Sequence, residues 1–377
     1  MDLKSYLSDL EYLVNIDSGS ETLEGLHKVA SFFSERFSQM GWNVKEYDFA
    51  PDAGTCVICT NREAEHYDLM LIGHIDTVFP EGTCKERPFF VDGNKAYGPG
   101  VADMKNGSLL MYYILKNLPE EVNQKLNIVA VFNPDEETGS KWSETAYAEY
   151  AKKTDYAYLY ESAASNGERC VQRKGAIGLN INFKGVSGHC GNMFSNGSRS
   201  AVSEMARWIV RLDSLRSEEL DTTVNTGVAS GGTKTNVVAE AATMKVSIRF
   251  INPDEISRVE KTIQTLLEEA KQTQITVDIS KVSIPSWTLT DKSRAYVKHI
   301  EELTRLHNME FKYPFARGGL SDANVIAKYG PICIDGMGPI GSKTHSPNEF
   351  MLIDSIIPAF DLSNLLIKDL ADNKKFI

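Results

Sequence analysis

Leu69 to Val78 reads LMLIGHIDTV. A short apolar run bounded by turn residues is the pattern of a strand buried on both faces, and such a strand belongs inside a sheet covered by helices. It ends in His74 and Asp76, two residues apart, so on extended backbone their side chains share a face. A neutral imidazole is a common metal ligand, and a ligating His passes its other ring N–H to a carboxylate or carbonyl that fixes its orientation. His74 therefore reads as a ligand, with Asp76 as the group that orients it. Asp103, Glu136, Glu137, Glu161 and His345 follow downstream, each beside a predicted strand end or in a glycine-rich loop.

The periodicity along the chain predicts an α/β fold. Leu3, Leu7, Leu10, Leu13 and Val14 recur at helical spacing, as do Leu26, Val29, Phe32, Phe33 and Phe37 before a stop at Gly41. β-rich runs are expected at 42–49 and 55–60, a loop with a short hairpin in 79–100, and a helix over 104–118. LNIVAVF at 126–132 is a second continuous apolar strand, ending just before Glu136 and Glu137. A third, at 156–160, ends at Glu161. Strands alternating with helices indicate a largely parallel sheet flanked by helices, and in such sheets ligands bind beyond the carboxyl ends of the strands. His74, Glu137 and Glu161 all occupy that edge.

From about Gly175 the pattern changes. Strands at 176–184, 243–251 and 276–282 alternate as half-solvated strands do, with helices at 201–215 and 254–270 between them. These three strands and two helices are read as most of a β-α-β-β-α-β kind of order, which predicts a ferredoxin-like α+β domain of residues 176–285, inserted in a catalytic domain made of 1–175 and 286–377. After it come a helix at 291–306, a strand near 310–315, a helix from Ser321, a strand at 331–334 and a helix from Ile353.

Length and charge narrow the class. With 377 residues, 42% hydrophobic and 24% charged, the chain can bury two cores, and a net charge of −11 argues against a nucleic-acid surface. Six scattered cysteines fit reduced thiols in a cytoplasmic protein better than a disulfide framework. Cys56 and Cys59 form a lone CxxC, which reads as strand packing. The first 20 residues lack an apolar signal core, and an uncharged apolar run of membrane-spanning length is missing throughout. The expectation is a cytoplasmic protein with no membrane and no nucleic-acid partner.

GHIDTVFPEG, YGPGVADMKNG, PDEETGS and MGPIGSKTHSPNE, in that order, resemble the M20 family of dinuclear zinc peptidases and amidohydrolases, most of all its glutamate carboxypeptidase branch. The resemblance implies two Zn²⁺ per chain, with Co²⁺ or Mn²⁺ as possible substitutes. His74 and Glu161 would hold one ion and Glu137 and His345 the other, with Asp103 bridging. Glu136, whose side chain diverges from that of Glu137, is assigned as the general base. His189 in KGVSGHCGN resembles the family's lid histidine, with Cys190 where the family more often has Ala. Arg249 in VSIRF and Asn236 in GGTKTNVV match substrate carboxylate and carbonyl contacts, and Arg169 is a weaker candidate for the carboxylate. Gly318 and Gly319 in RGGLSDAN resemble a loop beside the substrate, and read from the residues alone they are a helix start capped by Ser321.

The implied activity is hydrolysis of an amide bond that releases a C-terminal amino acid, glutamate among the candidates, from an N-acyl or peptidyl substrate. An N-acyl-amino-acid deacylase of the acetylornithine or succinyl-diaminopimelate type, or a dipeptidase, shares the same ligands. A noncatalytic binding protein that keeps the fold is the reading of another class, though such a protein should have lost Glu136 or a ligand. A homodimer is expected, each site borrowing His189 from the other chain.

Overall fold

A computed structural model of the chain describes residues 1–314 and 316–373. The residues divide into two compact units, Met1–Gln172 with Leu289–Ala316 and Ser321–Ile377, and Arg173–Thr288 with Arg317–Leu320.

The first unit is built on a six-stranded sheet ordered Asn43–Asp48, Thr55–Thr60, Ile128–Asn133, Tyr67–His74, Thr154–Leu159, Ile332–Ile334. The last four are mutually parallel, and the two at the first edge join them by antiparallel pairing. Every residue of Thr55–Thr60, Tyr67–His74 and Ile128–Asn133 is buried, as the continuous apolar runs require when helices cover both faces. Leu10 and Leu13 from helix Leu3–Val14, Phe33 and Phe37 from Leu23–Gln39, Leu109 and Ile114 from Asn106–Lys116, and Leu362 and Leu366 from Ile356–Asp372 close the core. Cys56 and Cys59 are both buried free thiols and, three apart on one strand, point to opposite faces of the sheet. They are packing residues.

The first unit departs from the sequence reading at several points. The strand expected near 310–315 does not form, since 310–314 is irregular and Phe315 lies outside the described residues. Pro314 lacks the N–H a ladder needs, and Ile332–Ile334 takes the sheet edge instead. A helix at Ser143–Ala151, without clear apolar periodicity, joins the second and third core strands. The hairpin Phe90–Asp92/Lys95–Tyr97 belongs to a small antiparallel sheet completed by Phe350–Leu352 and Gly341–Ser342, from the far end of the chain.

The second unit is a four-stranded antiparallel sheet ordered Thr276–Ile284, Gly175–Lys184, Ala241–Phe250, Thr223–Gly231. Alternate residues of the two central strands are buried under helices Ala201–Asp213 and Glu255–Gln272, around Phe183, Trp208, Met244 and Leu266. The strand Thr223–Gly231 escaped the sequence reading because TVNTGVASG offers one buried side chain, Val224, on an otherwise open edge. Arg317–Leu320, with Gly318 and Gly319, groups with this unit and not with the sequence that flanks it.

Gly107, in helix Asn106–Lys116, lets the helix that follows Asp103 meet the strand end that carries Glu161. A methyl there would stand 1.8 Å from the Tyr160 carbonyl oxygen. Gly107→Ala is expected to destabilise the first unit by about 1–3 kcal/mol, as overpacking does, whereas Gly178→Ala, with open space around its position, should be neutral or stabilising. Denaturation midpoints of the two variants check this, and equal midpoints would overturn it.

Candidate metal centre

His74 closes its strand with a side chain 1% exposed. Its Nδ1 lies 3.1 Å from the Asp76 carbonyl oxygen and 3.3 Å from Asp76 Oδ1. That side of the ring therefore carries the hydrogen, and Nε2 is left to face Asp103 Oδ1 at 3.1 Å and Glu161 Oε1 at 3.4 Å. His345 reaches the same place from the loop between Gly341–Ser342 and Phe350–Leu352. Its Nε2 stands 3.2 Å from Asp103 Oδ2 and 3.3 Å from Glu137 Oε2. The two oxygens of Asp103 thus face the two histidines, with Glu161 on one side and Glu137 on the other. Ligand atoms of His74, Asp103 and Glu137 all lie within 4.8 Å of one another.

Asp76 organises more than one imidazole. Its carboxylate also accepts from the backbone N–H of Glu136 at 3.2 Å and Glu137 at 3.1 Å, and from the Ser20 hydroxyl at 2.8 Å. The turn Glu136–Thr138 is braced from behind, where Asn133 donates to both oxygens of the buried Asp322 carboxylate and to Ser140 Oγ, while Asp135 accepts from Trp142 N and Ser143 N to start the next helix. Asp103 sits in the irregular segment Val101–Lys105, between Gly100 and helix Asn106–Lys116, and its bond to Met104 is cis. Gly100 takes φ +72°, and a Cβ there would lie 2.5 Å from Thr77 Cγ2, so the segment needs glycine on both counts. Glu349, 2% exposed, accepts from Gly100 N at 3.1 Å, Ala102 N at 2.7 Å and Asp103 N at 2.9 Å.

The residues brought together suit divalent cations. Glu137 Oε1 is buried without a hydrogen-bond partner, a position that costs free energy unless a cation or proton satisfies it. The electrostatics agree. Burial pushes the Glu137 carboxyl up to about 8 and also raises Glu161, while Asp103 beside it holds the His345 imidazolium up to about 9. Burial pulls His74 down, but Asp103, Asp76 and Glu161 outweigh it and hold that group well above its ordinary value. Burial likewise raises Glu136 well above the carboxylate range, and Asp322 to about 6.

Apart from Arg169, the remaining sequence candidates lie in the second unit. His189 and Asn236 are neighbours: His189 bridges Val237, and Cys190 N donates to the Asn236 carbonyl at 3.1 Å. Arg249 is elsewhere, since on its strand Ala241 pairs with Lys184 near the His189 loop, whereas Arg249 pairs with Ala176. Eight steps of about 3.4 Å put those two ends roughly 27 Å apart. Arg249 stands on the sheet face opposite the helices, with its Nη1 buried and unpartnered. Arg317 and Gly319 lie against Arg173, just before the strand that pairs with Arg249. Arg169, in the first unit, is buried and spends its Nη1 on the carbonyls of Gly336 and Gly338. Sequence reasoning did not single out Ser20, Asn133, Ser140, Asp322 or Glu349. Glu349, Ser140 and Asp322 lay inside the quoted motifs, but only tertiary contact shows what they hold.

A mixed α/β fold with imidazoles and carboxylates gathered at the carboxyl edge of parallel strands defines a class of metal-dependent hydrolases. Residues 70–369 match the peptidase family M20/M25/M40, and the chain belongs to that family. It is 28% identical to carboxypeptidase G2 of Pseudomonas sp. strain RS-16, over 98% of this chain and 90% of that protein. It is 24% identical to acetylornithine deacetylase of Vibrio cholerae, over 95% of this chain and 96% of that one. The crystal structure of a tripeptidase from Staphylococcus aureus shares the fold with a TM-score of 0.78 at 24% identity, covering 99% of this chain and 100% of that chain. The chain is therefore a metal-dependent hydrolytic enzyme acting on amide bonds. Among the described residues no helix is long and apolar enough to cross a membrane.

Metal ligation requires neutral imidazole and ionised carboxylate. In the metal-free chain near pH 7, His345 (about 9) and Glu137 (about 8) both hold protons. Both values exceed the working pH, so binding must expel these protons, and apparent affinity should rise as pH goes from 7 towards 9. Calorimetric titration of the metal-free protein with Zn²⁺, in buffers of differing ionisation enthalpy, should show proton release at pH 7 that declines by pH 9. A release independent of pH would contradict these assignments.

Proposed function

We propose that the chain is a two-zinc carboxypeptidase or amidohydrolase that cleaves an amide bond and releases an amino acid with a free carboxylate from an N-acyl or peptidyl substrate. Mixed imidazole and carboxylate donors suit Zn²⁺, with Co²⁺ or Mn²⁺ able to replace it. His74 and Glu161 would hold one ion, Glu137 and His345 the other, and Asp103 both. Bound there, the ions would supply a water acidified towards neutrality and a polarised carbonyl.

The chain's own residues divide the remaining work. Glu136 takes the proton from the attacking water and passes it to the leaving nitrogen, a task suited to a carboxyl whose hold on a proton burial has raised. Asp76 keeps Glu136 and Glu137 in place through their backbone N–H groups while it orients His74. His189 is exposed, and its Nδ1 accepts from Gly191 N at 3.1 Å. The hydrogen of the neutral ring is therefore on Nε2, which is free to donate to a developing oxyanion.

The observation that carries the carboxylate reading is the buried, unpartnered Nη1 of Arg249. A guanidinium donor removed from water needs an anion, and a carboxylate is the anion whose geometry it fits. Gly318 and Gly319 lie towards that end of the unit, and a Cβ at either would meet nothing within 3.4 Å among the described residues. That leaves room for substrate to approach the backbone. Both carboxypeptidases and N-acyl-amino-acid deacylases present such a carboxylate. The similarity to a protein named a carboxypeptidase favours the first, with acyl-glutamates as the first substrates to test. Six free cysteines, five of them buried, fit a reducing compartment and support a cytoplasmic placement.

Arg249→Ala should lower kcat/KM for an acyl-glutamate by roughly 2–5 kcal/mol, as expected when one partner of a buried charge pair is removed. The amide analogue, already lacking the charge, should lose little further. Assay of acyl-glutamates, dipeptides and acetylornithine with both enzymes decides it, and equal losses on acid and amide would take Arg249 out of the carboxylate site.

The distance between His189 with Asn236 and Arg249 supports a homodimer. A dipeptide spans only about 7 Å, so one substrate cannot touch both ends of a strand roughly 27 Å long. In this reading Arg249 serves one site while His189 and Asn236 serve the partner's. Mixing inactive His189→Ala with inactive Glu136→Gln under subunit exchange should restore about a quarter of wild-type activity, because half the dimers then hold one intact site. If no activity returns, His189 acts within its own chain.

A further inference from the structure

Asp103 and His345 come from opposite ends of the chain, yet Asp103 Oδ2 and His345 Nε2 lie 3.2 Å apart. Two connections hold their loops together. The strand Phe350–Leu352, which follows the His345 loop, pairs with Lys95–Tyr97, which precedes the Asp103 segment. Glu349, the last residue of the His345 loop, crosses to Gly100, Ala102 and Asp103, taking three backbone N–H bonds on its carboxylate. The bonds from Gly100 and Ala102 are buried and that from Asp103 is part-buried, and an acceptor with two carboxylate oxygens is what satisfies the three together.

The two halves of the centre are anchored unequally. His74 is in register with Asn133 in the sheet, its ring is fixed by Asp76, and its carbonyl accepts from Ser108 Oγ at 2.7 Å. Glu161 follows a core strand, and its carbonyl accepts from Gly338 N at 2.9 Å. His345, by contrast, has a side chain 53% exposed and a left-handed φ of 59°. The bonds around it, Ser346 Oγ to Lys343 O, Asn348 N to Ser346 Oγ and Glu349 N to Ser346 O, stay within its own loop. From this asymmetry we infer that Glu349 is a positioning residue that fixes the His345 loop on the Asp103 segment and thereby sets the affinity of the ion held by Glu137 and His345, far more than that of the ion held by His74 and Glu161. The inference rests on the two-metal reading.

Glutamine cannot replace this residue. Both Glu349 oxygens accept, and the amide NH₂ of Gln would meet a buried N–H, donor against donor. The test titrates metal-free wild type, Glu349→Gln, Glu349→Asp and His345→Ala with Zn²⁺ against a competing chelator, with thermal melts to confirm folding. Wild type should take up two ions. Glu349→Gln should keep one at near wild-type affinity and bind the other about 10–100-fold more weakly, the range typical when a partner behind a ligand is lost, so that at low zinc it resembles His345→Ala. Unchanged affinities, or equal weakening of both ions, would overturn the inference. Should Glu349→Gln fail to fold, Glu349→Asp keeps the charge with a shorter reach, and wild-type binding by that variant would overturn it as well. Wild type that takes up no ion would instead refute the two-metal reading, and the role given to Glu349 with it.

Discussion

The structure depends on one electrostatic tension: the carboxylates of Asp103, Glu137 and Glu161 are gathered around two imidazoles in a place largely withdrawn from water. Burial, with the neighbouring carboxylates, raises Glu137 and Glu161, while the carboxylates raise the two imidazoles, which in turn outweigh burial at Asp103 and hold it low. Divalent cations bound there, as in the proposed function, would relieve the same tension by replacing protons with fixed charge. In either case the surrounding fold must hold these side chains together.

The fold does this through the ends of parallel strands. Three adjacent core strands deliver His74, the Glu136–Glu137 turn and Glu161 to one edge, because parallel strands all end on the same side. Asp76 then ties the first to the second by accepting from both backbone N–H groups of the turn. The remaining ligands arrive by a different device. Asp103 and His345 lie in irregular loops that the small antiparallel sheet brings side by side, and Glu349 links them. The centre is therefore half framework and half loop closure, and its two halves differ in how firmly they are held.

The second unit has its own core around Trp208 and Phe183 and carries its polar candidates at two separate ends. A sheet of this kind positions residues along its strands as on a ruler, so register separates the Lys184–Ala241 end from Arg249, and the bridge to Val237 places His189 beyond that end. In the proposed function that separation becomes the reason for two copies, since neither end alone completes a site.

Much of this was legible in the residues. The continuous apolar runs determined the buried strands, because only an interior strand tolerates apolar side chains on both faces. His74 with Asp76, the Glu136–Glu137 pair and Glu161 stood where those runs ended, so their place at one edge followed from local pattern. The inserted α+β unit was legible from the change to period-two alternation. Other features were decided only by the tertiary structure. The strand Thr223–Gly231 has too few buried side chains to announce itself, and the strand expected near 310–315 is irregular over 310–314, where Pro314 cannot donate, while Ile332–Ile334 takes the sheet edge. The small sheet pairs segments some 250 residues apart, and no local pattern encodes such a pairing. Glu349 is the sharpest case. By sequence it is one more carboxylate after an asparagine, and only the fold shows that its partners are the backbone N–H groups that present Asp103.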